Sequence, residues 1–421
     1  MHHSRWDDEQ VRQAFPALAL ADNGVPRLYA DAPGGTQVAQ QALARMNELM
    51  VHFCANDGGV FKTSELTMEA MRLAHEAAGS FFNCDPDEVV FGLNTSHLLF
   101  HFAGMMAQDW RAGDNIVLTR MDHDANVAPW LLAAQARGVA VRWLEFDLDS
   151  YHYRYEQLAT LIDQRTRFVA CNYASNYLGT INNVNTIIQA AKSVQALTMV
   201  DAVQAAAHFA LDVRQLDCDL MACSPYKFFG PHAGLLYIRR ALADRLTPLK
   251  VRPSPMQMPY KHAPGTPSFE AQAATRGAIE HLQWLATQTE QKTQVGANAV
   301  TPARALLLAG FANAGAHELS LSERFLAGIS AMPKITLYGP QAASERVPTF
   351  SITLADKAAD QIASALARDN IYVWSGSFYA YEIAKQLKRY EGPGVVRIGF
   401  AHYNTVGEVD HILAKLEQLV K

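Results

Sequence analysis

The 421-residue sequence lacks both glycine-rich motifs by which many α/β enzymes hold phosphates. No Gly-x-Gly-x-x-Gly follows a strand-like run, and no Gly-x-x-x-x-Gly-Lys-Ser/Thr occurs. Such loops bring backbone N–H groups close to the phosphates of nicotinamide dinucleotides and nucleoside triphosphates. The usual basis for predicting nicotinamide or nucleotide chemistry is therefore missing.

Cysteine is scarce and scattered along the chain. The cysteines are Cys54, Cys84, Cys171, Cys218 and Cys223, with no Cys-x-x-Cys pair and no zinc-ligand spacing among them. An odd number of dispersed cysteines is typical of reduced thiols in the cytoplasm. We expect a cytoplasmic protein without a metal site.

Charge and long apolar runs are also limited. Lys and Arg number 36 against 41 Asp and Glu, a net charge of −5, which gives no electrostatic reason to expect nucleic acid or an acidic membrane surface as partner. No stretch approaches eighteen uninterrupted apolar residues, and "MHHSRWDDEQ" lacks the apolar core of a signal peptide. A small molecule is the expected partner, and neither export nor membrane insertion is expected.

The order of the apolar runs indicates the fold class. From about residue 85, short β-rich runs such as "EVVFGL", "NIVLTR" and "LTMVDAVQ" alternate with stretches of helical period. This order predicts a mostly parallel sheet with helices on both faces. Long helices follow near residue 280, and "ITLYGP", "TFSITLA" and "IYVWSG" are the next predicted strands. We expect a large domain over residues 28–290, a small α+β domain over 291–421, and residues 1–27 packed on the small domain.

Polar residues follow several of the predicted strands, at the sheet edge where α/β proteins bind ligands. They are Asn94, Thr95, Ser96, His123, Asp201, Gln204, Ser224 and Lys227. Residues 94–96 open a helix, which suits either an anion site or an ordinary N-cap. A lone histidine such as His123 is more often structural.

Lys227 lies among apolar residues in "CSPYKFFGP". Burial lowers the pKa of a lysine, and the neutral amine can condense with a carbonyl; alternatively, the side chain extends its ammonium group to water. Asp201 ends an apolar strand, where a carboxylate needs a cationic partner. An anion site, an imidazole, an acid and an amine together meet the requirements of pyridoxal phosphate.

Seven stretches in order resemble the class V aminotransferase family of fold-type I pyridoxal-phosphate enzymes, and its cysteine desulfurase/selenocysteine lyase-like branch in particular. They are "YADAPGGTQ", "DHDANVAPW", "SNYLGTINNV", "VDAVQAAAH", "SPYKFFGPHAG", "GTPSFEA" and "VRIGFAHYNTVGEVD". The resemblance runs from about residue 28 to the C-terminus. It implies a seven-stranded, mostly parallel sheet in a large domain with a smaller C-terminal α+β domain, pyridoxal 5′-phosphate as cofactor, an amino-acid substrate and a homodimer with shared sites.

The resemblance also implies roles for the catalytic residues. Lys227 would form the Schiff base with the cofactor and move protons at Cα. Asp201 would keep the pyridine nitrogen protonated, and His123 would stack on the ring. Gln204 would contact the ring hydroxyl.

The remaining implied contacts involve the phosphate and the substrate. Thr95 and Ser224 would bind phosphate, and Thr266 would reach the phosphate of the neighbouring subunit. Arg397 would bind the substrate α-carboxylate, and Asn176 would lie near cofactor and substrate. The other implied contacts are Asn94, Ser96 and Tyr226 with the cofactor and Tyr379 with the substrate.

The sequence departs from the desulfurase pattern at two places. Tyr226 precedes the lysine where histidine is usual. The loop that resembles "RTGxxC" in desulfurases is "VWSGSFYAYE" here, so Trp374 replaces the arginine and Tyr379 replaces the nucleophilic cysteine. A tyrosine hydroxyl cannot store sulfane sulfur.

Chemistry at Cα or Cβ that needs no thiol therefore remains. We expect a C–S lyase-type reaction, with Ser377 or Tyr379 as acid or substrate contact. An aminotransferase and an amino-acid epimerase of the same family stay open, as does a pyridoxal-phosphate-binding pseudoenzyme that acts as a regulatory partner. The aromatic residues of the loop indicate either a bulky substrate or a space filled in place of arginine.

Overall fold

The computed structural model describes residues 6–289 and 301–421. Residues 290 and 291, between which the predicted domain boundary falls, lie outside these ranges. The division into domains therefore stays a prediction. None of the helices in the described ranges is long and apolar enough to cross a membrane.

The strands in the described ranges fall into two principal sheets and two short pairs. They are β1 (Ala21–Asp22), β2 (Val25–Pro26), β3 (Leu28–Tyr29), β4 (Val89–Gly92), β5 (Asn115–Thr119), β6 (Ala140–Leu144), β7 (Thr166–Asn172), β8 (Leu197–Asp201), β9 (Leu220–Cys223), β10 (Gly234–Ile238), β11 (Ile335–Tyr338), β12 (Thr349–Leu354), β13 (Ile371–Tyr372), β14 (Trp374–Gly376) and β15 (Val395–Gly399).

The helices range from single turns to one of 29 residues. They are α1 (Asp8–Gln13), α2 (Gln40–His52), α3 (Lys62–Phe82), α4 (Thr95–Met106), α5 (Ala128–Arg137), α6 (Leu158–Leu161), α7 (Val184–Lys192), α8 (Val213–Leu216), α9 (Arg240–Arg245), α10 (Phe269–Trp284), α11 (Pro302–Ser330), α12 (Ala359–Ala367), α13 (Tyr381–Gln386) and α14 (Val406–Val420).

The larger sheet has seven strands in the order β4-β10-β9-β8-β7-β5-β6. All neighbours are parallel except β10, which runs antiparallel to both β4 and β9. Side chains alternate between two cores: Val117 of β5 packs into one, and Ile116 and Leu118 pack into the other. Both faces are therefore covered, as the continuous apolar runs predicted. The predicted fold class is confirmed.

The second sheet is antiparallel, with the order β11-β12-β15-β14. Its inner face packs on α11, α12 and α14 through a separate core. Within that core, Phe325 of α11 lies 4.5 Å from Phe350 of β12 between ring centroids. Burial of large aromatic side chains holds these helices on the sheet.

Residues near the N-terminus contact β13 and the region around α14. β3 pairs in parallel with β13, and Arg12 forms an ion pair of 2.9 Å with Glu408 of α14. Arg12 also donates a hydrogen bond of 2.8 Å to the carbonyl oxygen of Tyr403. The packing of residues 1–27 on the small domain stays a prediction.

Candidate active site

Most of the predicted site residues line one pocket at the carboxyl ends of the parallel strands. They are Asn94, Thr95, Ser96, His123, Asn176, Asp201, Gln204, Ser224, Tyr226 and Lys227. A second, adjoining pocket shares Lys227 and His123 with the first and adds Arg397 and Tyr379. The topology thus assembles residues that lie up to about 300 positions apart in the sequence.

Lys227 ends a 3₁₀ turn, Pro225–Lys227, directly after β9. The side chain is buried, and its Nζ donates hydrogen bonds to the carbonyl oxygens of Pro33 and Gly34, the latter at 3.1 Å. Burial, assisted by the positive charge of Arg397, lowers the pKa of Lys227 to about 7, against the opposing effect of Asp201 and Asp31. The alternative in which the ammonium group reaches water does not apply to this conformation.

Asp201 is the last residue of β8 and faces the same pocket. Burial raises the pKa of its carboxyl group to about 6, while the backbone N–H of Val203, at 2.8 Å, and the charge of Lys227 act in the opposite direction. A cationic ligand beside a buried carboxylate stabilises its negative charge. A protonated ring nitrogen is such a ligand.

The N-terminus of α4 also lines this pocket. Asn94 caps this helix by accepting the N–H of His97 at 2.8 Å, so the cap interpretation is correct for its side chain. Thr95 Oγ1 lies 2.7 Å from Ser224 Oγ and 2.9 Å from the carbonyl oxygen of Cys223. Two hydroxyls beside a helix N-terminus suit a phosphate.

His123 follows β5 and lies between the two pockets. Its Nδ1 accepts the N–H of Ala125 at 3.0 Å, which leaves that nitrogen without a proton. Burial, with the charges of Lys227 and Arg397, lowers the pKa of His123 to about 4. A neutral imidazole can stack on a cationic ring without charge repulsion.

Arg397 lies on β15 at the back of the second pocket. Its Nη1 donates a hydrogen bond of 3.0 Å to the carbonyl oxygen of Asn176, and its guanidinium lies 3.9 Å from the ring centre of Phe378. Burial lowers the pKa of Arg397 to about 9. The aromatic residues Trp374, Phe378, Tyr379 and Phe100 complete this pocket.

Buried polar atoms without partners indicate that a polar ligand belongs here. In the described parts of the chain, Asn176 Oδ1, Gln204 Oε1, Arg397 Nε and Asp31 Oδ1 have no hydrogen-bond partner. Buried polar groups normally have one. With an amine, a carboxylate and an anion site in place, the residues present fit pyridoxal phosphate.

Sequence reasoning missed Asp31, which lies within "YADAPGGTQ". Burial raises the pKa of Asp31 to about 6, and Arg397, the indole N–H of Trp374 and Lys227 oppose that shift. A side chain at the nearby Gly34 would displace Trp374, because a Cβ would lie 2.6 Å from Trp374 Nε1. The adjacent glycines Gly34 and Gly35 in this stretch were the available signal.

Thr266 lies in a different pocket, which Leu93 and His97 also line. A single chain therefore does not bring Thr266 to the pocket of Lys227. Its contact with the neighbouring subunit stays a prediction.

No cysteine lines either of the two connected pockets in the described ranges. Cys171, Cys218 and Cys223 are buried, and burial raises the pKa of each thiol. Such thiols are poor nucleophiles.

The family model for class V aminotransferases matches residues 28–412. The chain is 31% identical over 420 residues to a cysteine desulfurase of Pectobacterium carotovorum, covering 98% of this chain and 97% of that protein. It is 30% identical over 430 residues to the aminotransferase-like protein FGM3 of Gibberella zeae, covering 100% of both.

Solved structures show the same fold. The apo cysteine desulfurase from Thermococcus onnurineus NA1 has a TM-score of 0.86 at 24% identity, covering 100% of this chain and 99% of that one. The cysteine desulfurase CsdA of Escherichia coli has a TM-score of 0.83 at 22% identity, with 98% of both chains covered. The chain thus belongs to the class V aminotransferase family, in its cysteine desulfurase-like branch, and is a pyridoxal 5′-phosphate-dependent lyase or transferase.

Proposed function

We propose that this enzyme eliminates a sulfur substituent from Cβ of an amino acid, as a C–S lyase that uses no persulfide cysteine. The observation that carries the proposal is the second pocket, where Lys227 and Arg397 share a space lined by Trp374, Phe378 and Tyr379. An amine and a carboxylate-binding guanidinium are present there, whereas no thiol lines it in the described ranges.

Each residue has a step to perform. Pyridoxal phosphate supplies an aldehyde for the substrate amine and a cationic ring that withdraws electrons from Cα. Arg397 binds the α-carboxylate through its planar fork, to which the unpaired Nε is suited. Lys227, with its pKa lowered to about 7, is matched to taking the Cα proton near neutral pH.

The elimination conserves atoms and charge. The Cα–H and Cβ–S bonds break, and the electron pair of the Cα–H bond forms a Cα=Cβ double bond. The Cα proton passes to Lys227, and the electron pair of the Cβ–S bond leaves with sulfur, which takes up a proton. Water then hydrolyses the resulting enamine. Overall, a β-thio amino acid and water give a thiol, a 2-oxo acid and ammonia. No external oxidant or reductant is required.

The loop in place of the desulfurase cysteine supports this reading. Tyr379 is 78% exposed, and its ring centroid lies 5.5 Å from that of His123 at the pocket mouth. A phenol there can contact the substrate or donate a proton, but it cannot accept sulfur from the substrate.

A panel of amino acids tests the proposal, with cysteine and S-substituted cysteines included. Thiol or sulfide, pyruvate and ammonia in equal amounts would support the lyase, with Lys227→Ala as inactive control and Tyr379→Phe to test the phenol. Alanine with sulfane sulfur would overturn it in favour of a desulfurase. A 2-oxo acid formed only with an amino acceptor would indicate an aminotransferase, and interconversion of enantiomers an epimerase. No response of the cofactor absorbance to any amino acid would indicate a protein without catalytic activity.

We also propose a cytoplasmic homodimer in which Thr266 serves the site of the partner subunit. The separate pocket of Thr266 and the 68% exposure of Leu93 beside it support a protein surface that a second copy covers.

A further inference from the structure

Three buried polar side chains form a line behind the cofactor pocket. His208 Nδ1 lies 2.8 Å from Oε2 of Glu318, and His208 Nε2 lies 3.5 Å from the side-chain amide of Gln204. The same amide atom lies 3.3 Å from Thr349 Oγ1, and Gln204 also lines the pocket of Lys227. The line thus leads from the buried carboxylate of α11 to the site.

The carboxylate of Glu318 is buried against His208. Glu318 is 3% exposed, its Oε1 has no hydrogen-bond partner, and His208 is its only ion-pairing partner in the described ranges. An isolated buried carboxylate is costly, whereas a cation in contact with it offsets much of that cost. His402 also faces His208, but burial keeps the pKa of His402 well below its ordinary value, so it adds no charge. Nδ1 of His208 therefore carries a proton directed at Glu318, and the negative charge of that carboxylate stabilises a second proton on Nε2.

A doubly protonated His208 fixes the orientation of Gln204. The oxygen and nitrogen of a glutamine amide are assigned from their hydrogen bonds and not from their shape. Because His208 Nε2–H needs an acceptor, the amide oxygen must face His208, where the hydroxyl of Thr349 can also donate to it. The other amide atom, which has no partner in the described ranges, is then the NH₂ group.

We propose that Glu318 and His208 are positioning residues that turn the amide N–H of Gln204 towards the ring oxygen of the cofactor. This inference rests on the proposed placement of pyridoxal phosphate in the pocket of Lys227. An N–H donor stabilises the deprotonated ring oxygen and so lowers the pH at which it loses its proton. A neutral His208 would instead leave the amide oxygen facing the ring, with the opposite effect.

The protonation state of His208 can be measured without cofactor or substrate. In protein labelled with ¹⁵N-histidine, the signals of His208 are identified by their loss in His208→Gln. Two protonated ring nitrogens at neutral pH in the full-length wild-type chain are expected. A neutral ring with an unprotonated Nε2 would overturn the inference, and this measurement does not depend on whether a variant at Glu318 folds.

The effect on the cofactor is the second test. Glu318→Gln removes the charge that holds the second proton on His208, so we expect the pH midpoint of the bound-cofactor absorbance change to rise by about one unit. His317→Gln is the matched control, because His317 lies on the same helix and donates to the carbonyl oxygen of Asn404 at 2.7 Å, away from Gln204. The control should keep the wild-type midpoint.

Equal midpoints in Glu318→Gln and His317→Gln would refute the positioning role while leaving the lyase proposal intact. Conversely, a holoenzyme without lyase activity that still shows the shift would refute the lyase proposal and support the positioning role. Failure of the wild-type chain to bind pyridoxal phosphate with Lys227 would remove the placement on which this inference rests.

Discussion

The lowered pKa of Lys227 makes a quantitative prediction for the loading of the apoenzyme. With a pKa of about 7 instead of the ordinary 10.5, about half of the amine is neutral at pH 7 rather than roughly 0.03%. Since only the neutral amine attacks an aldehyde, Lys227 should condense with pyridoxal phosphate roughly a thousand-fold faster than an exposed lysine. The rate should rise with pH to an inflection near pH 7 and change little above it.

Two substitutions should move this inflection in opposite directions. Arg397→Gln removes a positive charge that disfavours the ammonium form, so the pKa of Lys227 rises; a rise of one unit would reduce its neutral fraction at pH 7 about fivefold. Asp201→Asn removes a negative charge that favours the ammonium form, so the inflection falls. Arg324→Gln, at an exposed ion pair with Asp410, is the control for loss of a positive charge.

Stopped-flow absorbance of apoenzyme mixed with pyridoxal phosphate gives these rates, and borohydride reduction followed by mass spectrometry locates the adduct. The ionisations of free pyridoxal phosphate affect every variant equally, so the differences between variants report on Lys227. An inflection near pH 10, or one that both charge substitutions leave unmoved, would refute the electrostatic account of this lysine.

Three further predictions concern the substrate, the pH dependence of stability and the assembly. Arg397→Lys should raise KM for a carboxylate substrate by about tenfold or more with a smaller effect on kcat, because one of two charge-assisted hydrogen bonds is lost. Steady-state kinetics with the substrate and with its amide, which lacks the carboxylate, checks this. Burial lowers the pKa of His281 to about 3, so the unfolded state binds the extra proton first as the pH falls below 6.5. This residue should therefore reduce the free energy of unfolding by about 1.4 kcal/mol per pH unit between pH 6.5 and pH 3. Chemical denaturation of His281→Gln should show a free energy of unfolding that depends less steeply on pH. Mixed dimers of Lys227→Ala and Thr266→Ala chains should contain one intact site and so recover activity that neither parent has, whereas no recovery would place Thr266 outside the partner's site.

The residues predicted from the strand pattern, before the family resemblance was considered, share one physical property: they lie at or just after the ends of buried strands. Because parallel strands end at a common edge, local patterns were enough to bring Asp201, His123 and Lys227 together. Asp31 was missed because its neighbours are β14, β15 and Lys227, which are distant in sequence, and its own segment contains no long apolar run.

The run "IYVWSG" shows a second limit of local patterns. We predicted one strand, but the structure divides it: Ile371–Tyr372 pairs with β3, whereas Trp374–Gly376 pairs with β15. The break changes which sheet the chain joins, and a period-two pattern does not contain that information. It also places Trp374 opposite Arg397, at the mouth of the site.

The charges around the site explain why these residues fit a ligand that carries charges of its own. Burial moves each buried group towards its neutral form: the pKa of Lys227 falls to about 7 and that of Arg397 to about 9, while those of Asp31 and Asp201 rise to about 6. These two buried acids and two buried basic groups lie close enough for their charges to affect one another, and a buried charge is stabilised by a ligand of opposite charge. A cationic ring would pair with the carboxylate of Asp201, and a substrate carboxylate would pair with the guanidinium of Arg397. These two contacts would therefore orient the substrate Cα towards Lys227, and this orientation is required for removal of the Cα proton.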